Sequence, residues 1–151
     1  MVSISAKVDY GVRALCTLAE DGGTMTAAEL AACEGLPTKY LESILTDLRK
    51  ADVLVSRRGV DGGYQLARPA SELRLSDVVR PLVGTLAEVR GQAVDTTRYD
   101  GAAQGLQEVW VTIRATLRNV LEEVTIADVV AGTLPTSVRV ADHSPEHVSS
   151  T

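Results

Sequence analysis

Aromatic residues are scarce in this chain. They make up 3% of 151 residues, with one Trp, four Tyr and no Phe. A core must come chiefly from Val, Leu, Ile and Ala, and a 45% hydrophobic content is sufficient for one. The length allows one domain, or a small domain with an appendage. The only two cysteines, Cys16 and Cys33, fall inside helical patterns. They read as reduced, buried thiols rather than as a disulfide framework. His143 and His147 are four residues apart, the spacing of a helical metal pair. Pro145 between them disfavours the helix such a pair needs, so no metal site is expected. A Ser-His-Asp set, a phosphate loop and a clustered acid pair are all missing, and no enzyme is expected. No apolar run approaches the ~18 residues of a membrane span. The N-terminus, with Lys7 and Asp9, lacks the layout of a signal peptide, so a cytoplasmic location is expected.

Net basic charge is also lacking: the formal charge is -5. The distribution matters more than the sum. Residues 37–68 carry six basic side chains against four acidic ones, whereas residues 69–151 carry seven arginines against eleven acids. A phosphate backbone senses the local field, so a small basic region suits a moderate nucleic-acid binder that works as a dimer.

Helical patterns open the chain. Ser5 caps a helix running to Glu20, with Val8, Val12, Leu15, Leu18 and Ala19 on its apolar face, and Gly22-Gly23 stops it. Thr26-Ala27-Ala28-Glu29 is a capping box for a short second helix. A third is expected from about Thr38 to Ala51, with Pro37 in its first turn and Leu41, Ile44, Leu45 and Leu48 buried. The short Gly35-Leu36-Pro37 link makes the last two a helix-turn-helix.

Strands near Val53–Arg57 and Tyr64–Ala67 follow, joined by a glycine-rich turn with arginines at both ends. Such a hairpin behind an amphipathic helix is the wing of a winged helix-turn-helix. The fold class expected is mainly α, with a β-hairpin wing and a long C-terminal helix. Ser76 is expected to cap a helix through Leu82. Residues 83–104 read as a loop with at most a helical turn near Leu86–Arg90. Leu106, Trp110, Ile113, Leu117, Val120 and Val124 then form a heptad seam, widened by Val109 and Leu121. A helix so apolar on one stripe needs a partner, and a second copy is the natural one. Thr125 to Asp128 starts a last helix that Gly132 ends. The expected division is 1–82 for the DNA-binding domain, 83–104 for the loop, 105–132 for the dimerisation helix and the short helix after it, and 133–151 for a disordered tail.

A recognition helix places its N-terminal residues nearest the base edges. Lys39, Thr38 and Ser43 suit guanine or phosphate, Glu42 a cytosine amine, and Tyr40 a phosphate or thymine methyl. Glu42 could instead pair with Lys39 or Thr46. Arg58 is the strongest single candidate, since a guanidinium at the hinge of a wing can enter the minor groove while Gly59 leaves the backbone free. Gly62 and Gly63 join the wing set; both also read as positive-φ turn residues. Lys7 and Arg68 are candidate phosphate contacts.

Lys7 to Leu15, Tyr40 to Ala51, the Arg58-Gly59 and Gly62-Gly63-Tyr64 motifs with Leu66 to Pro69, and Thr125 to Val130 together resemble the Rrf2 family of bacterial winged-helix regulators. The resemblance covers about residues 3–131. It implies a homodimer crossed through the long helix and bound to a palindromic operator, and the leading reading is a repressor. Many members hold an iron–sulfur cluster with three cysteines between the fourth helix and the long helix. Residues 83–105 contain no Cys and no His. Cluster assembly needs thiolate or imidazole ligands, so no cofactor is expected. Asp9 lies where some relatives place a carboxylate ligand and reads here as a helix-end charge. The alternatives are a thiol redox switch through Cys16 or Cys33, and a protein-interaction module built on the winged-helix surface. A small-molecule effector beside Trp110 and the loop would fit the leading reading.

Overall fold

The structure is a computed structural model and describes residues 3–139. Helix α1 spans Ala6–Asp21; the Val8 N–H donates to the Ser5 hydroxyl, and Gly22 closes the helix at φ 73°. Helix α2, Ala27–Glu34, opens with the expected capping box, in which Thr26 and Glu29 satisfy each other's backbone donors at 2.7 and 3.2 Å. Helix α3 spans Thr38–Lys50, and Pro37 stands one place before it, as the cap residue. Leu41, Ile44, Leu45 and Leu48 are wholly buried against Leu15, Leu18 and Leu30. The core is aliphatic, as the shortage of aromatics requires.

Strands β1, Leu54–Arg57, and β2, Gly63–Leu66, pair antiparallel with Leu54 opposite Leu66 and Arg57 opposite Gly63. Met25, between α1 and α2, adds a bridge to this ribbon: its N–H donates to the Tyr64 carbonyl at 3.0 Å and its carbonyl accepts the Tyr64 N–H at 2.7 Å. The bridge explains Gly63, which has φ 141° and whose missing Cβ would sit 2.5 Å from the Met25 oxygen. Gly62 differs from expectation. It does not have positive φ; a Cβ there would meet the Arg57 carbonyl at 2.5 Å, so crowding inside the turn excludes a side chain.

Helix α4 spans Leu75–Leu82. Ser76 is inside it and buried rather than capping it; the Asp77 carboxylate accepts the Arg74 N–H at 3.0 Å instead. The segment 83–105 is more ordered than a plain loop. Strands β3, Glu88–Val89, and β4, Gln92–Ala93, form a small hairpin where a helical turn was expected. Its turn residues Arg90 and Gly91 both have positive φ, the geometry that favours a two-residue hairpin. The segment packs on α5, Leu106–Glu123, through Val94 and Thr97, both buried, and a fork of Arg114 on Asp95 whose second arm is 2.6 Å. Trp110 donates its indole N–H to the Tyr99 hydroxyl at 3.1 Å.

The seam of α5 stops short of its expected end. Val124 is buried in its own chain, because the chain turns there: the Leu75 N–H donates to the Val124 carbonyl at 2.9 Å and the Ile126 N–H to the Leu73 carbonyl at 2.8 Å. Helix α6, Ile126–Ala131, starts and stops where expected, with a Thr125–Asp128 capping box at its head and Gly132 at its end, and packs on α1 with Ile126 in the core. Thus α6 is anchored on the winged-helix body. Part of the expected tail is also held, since Ser137 donates to the Glu123 carboxylate at 2.6 Å. Residues 140–151, with His143 and His147, lie outside the described residues.

Candidate DNA-binding surface

Thr38, Lys39, Tyr40, Glu42 and Ser43 all lie exposed on α3. The α3 amide end is bare of any side-chain cap, because Pro37 has no hydroxyl or carboxylate to offer. Free N–H groups and the positive end of the helix dipole therefore lie in the same first turn as Lys39. Tyr40 is 40% exposed, and its ring meets Tyr10 edge-on with centroids 5.8 Å apart. The Arg13 guanidinium lies over the other ring, 5.6 Å from the centre of Tyr10. Tyr10 and Arg13 thus orient Tyr40 from behind. Neither was among the expected site residues; both are half-buried on α1, and no local pattern marks them. Among the described residues Glu42 pairs with neither Lys39 nor Thr46 and is left facing outward with them.

The wing follows the helix directly. Arg57, Arg58 and Gly59 are exposed, and neither guanidinium has a hydrogen bond or ion pair among the described residues. Gly59, at φ 107°, turns the chain at the tip, with open space where a Cβ would stand. Arg57 is a second free guanidinium that the candidate set omitted.

Two candidates are already engaged. The Lys7 ammonium binds Asp47 at 2.8 Å, tying α1 to α3. That bond and charge hold the Asp47 carboxyl below the usual carboxylate range. Lys7 therefore acts first as a brace beneath α3. Arg68 lies 3.5 Å from Asp77 of α4 and fastens the base of the wing. Neither pairing was legible, since each joins residues far apart or in different elements.

The seam residues divide as well. No residue of α5 is buried, and Val109 and Ile113 are 49% and 36% exposed. Leu106 and Trp110 are half-buried. Leu117 and Val120 line an apolar groove of about 290 Å³ with Ile4 and Val8 of the α1 end.

Residues 4–132 match the sequence model of the Rrf2 family, described as an iron-dependent transcriptional regulator. The chain belongs to the Rrf2 family. A protein of Mycobacterium tuberculosis named as an HTH-type transcriptional regulator is 44% identical over 137 residues, covering 89% of this chain and 85% of that one. Among solved structures, T. potens IscR superposes with a TM-score of 0.70 at 30% identity, covering 86% of this chain and 87% of that one. CymR, the global cysteine regulator of B. subtilis, gives a TM-score of 0.75 at 29% identity, covering 88% and 99%. The resemblance expected from the sequence is borne out, and with it the winged helix-turn-helix fold. This Rrf2 member is a DNA-binding transcriptional regulator.

The family description implies iron, and the residues present do not fit it. The 83–105 segment offers no thiol or imidazole. Cys16 is half-buried in α1, and Cys33, expected to be buried, is exposed on the outer side of the short helix α2; both lie outside that segment. Among the described residues no three His, Cys, Asp or Glu side chains gather to hold a metal. Asp9 instead lies 3.6 Å from Arg13.

Proposed function

We propose that this Rrf2 regulator is a homodimeric repressor that recognises an inverted-repeat operator without an iron–sulfur cluster. Its role is regulatory rather than catalytic, and it acts in the cytoplasm. The observation that carries this reading is Arg58, exposed and unpaired on the wing beside the exposed edge of α3. The α3 residues Thr38, Lys39, Tyr40 and Ser43 meet the major groove, while Arg58, with Arg57, enters the adjoining minor groove. The apolar stripe of α5 supports the dimer, since Val109 and Ile113 are exposed and Leu117 and Val120 line an open apolar groove. Two wings and two reading helices then match the two-fold symmetry of an operator.

A gel shift on the promoter upstream of the regulator's own gene tests this. The wild-type protein should retard the fragment at low ionic strength, and Arg58→Ala should not. Retardation by neither protein would favour the winged-helix surface as a protein-docking module.

A further inference from the structure

We propose that the concavity between α4 and α5 binds a small organic anion. The cavity is about 300 Å³. That is the small end of the ligand-site range, of order 300–1,000 Å³. Three guanidiniums line it: Arg80 from α4, and Arg114 and Arg118 from α5. No acidic side chain lines it. In a chain of net charge -5 such a cluster is not a by-product of general basicity.

The cations are short of partners. Arg80 and Arg118 make no ion pair among the described residues. Arg114 is 17% exposed and binds Asp95, but its Nε is buried with no acceptor. Asp95 is itself half-exposed, and its carboxyl is held below the usual range by the Arg114 hydrogen bond and by the charges of Arg114 and Arg118. One outer carboxylate therefore answers at least two guanidiniums. An anion in the cavity would take up the spare donors, and a planar fork suits carboxylate and phosphate oxygens alike.

The rest of the wall sets the shape of the ligand. Val79 and Val83 give an apolar side, and Ser76, over nine-tenths buried, adds a hydroxyl at the α4 wall. The site thus fits a compact molecule with an anionic head and an apolar body. None of its residues belongs to the DNA-binding surface.

Calorimetric titration of the full chain without DNA tests this independently of operator binding. Three probes are used: phenyl phosphate, inorganic phosphate, and benzylamine as a cation of similar bulk. Phenyl phosphate should bind saturably, one per chain, and raise the melting temperature. Inorganic phosphate should bind more weakly and benzylamine not at all. Arg80→Gln and Arg118→Gln, both at exposed positions, should each weaken phenyl phosphate about tenfold. Arg58→Ala should bind it as the wild type does. If a glutamine variant fails to fold, Arg118→Lys replaces it, keeping the charge but losing the fork, with weakening again expected. Absence of saturable binding would overturn the proposal, as would full affinity in the α4–α5 variants or loss of binding in Arg58→Ala.

Discussion

Arg58 and Lys7 carry the same charge and have different work. Arg58 is exposed with no partner, while Lys7 is held by Asp47. Arg58→Ala should therefore remove roughly 1–3 kcal/mol of binding per half-site while leaving circular dichroism native. Undiminished operator affinity in the folded variant would contradict the role given to it. Lys7→Ala should act mainly on stability, by loosening α1 from α3. Gly63→Ala is a different case. Its Cβ would meet the Met25 carbonyl in a positive-φ backbone, so a loss of about 2 kcal/mol in denaturant unfolding is expected, from strain and a broken bridge. A midpoint unchanged from wild type would argue against the Met25 bridge. The thiols also separate at this scale. Burial, helped by Glu34, pushes the Cys16 thiol up and keeps it protonated, whereas Cys33 lies exposed. Timed alkylation near neutral pH should modify Cys33 well before Cys16. If Cys16→Ser and Cys33→Ser together leave the oxidant response of operator binding unchanged, the thiol-switch alternative is removed.

Among the elements, those with local signals were legible in advance. Ser5, the Thr26–Glu29 box and the Thr125–Asp128 box each announce a helix start through bonds three residues apart, and all three form. The α3 pattern places its four buried residues and its exposed edge together. What could not be read depended on distant parts of the chain. Ser76 looked like a cap, but α4 begins earlier because its N-terminus is pinned to the turn after α5. The β3–β4 hairpin was hidden because Arg90-Gly91 is not a usual turn pair. Val124 fits a heptad by spacing, yet the bend at Thr125 draws it into the core of its own chain. Of the candidate site, the α3 and wing residues were legible as a set, while the Lys7 and Arg68 pairings and the Tyr10 support were not. The remaining α5 stripe carries a prediction of its own. Leu117→Lys would place a charge in the proposed dimer seam, at a cost of several kcal/mol. Sedimentation should then show monomer where the wild type shows dimer; a persistent dimer would mean that α5 pairs elsewhere.

On the scale of the whole molecule, the acidic total hides an uneven distribution. Basic charge gathers on the wing and α3, and a duplex would be met twice by a dimer. Each phosphate contact should add about 0.9 to the slope of log affinity against log salt, so binding ought to fall steeply as ionic strength rises. The cluster-free reading is checked by colour and metal content: purified protein should be colourless with negligible iron, and a brown sample absorbing in the visible would overturn it. The most direct measurement is selection from sheared genomic DNA by the purified protein at low ionic strength, followed by sequencing. A few fragments sharing an inverted repeat should be enriched, and Arg58→Ala should enrich none. A well-folded wild-type protein that enriched no fragment at all would contradict the central claim.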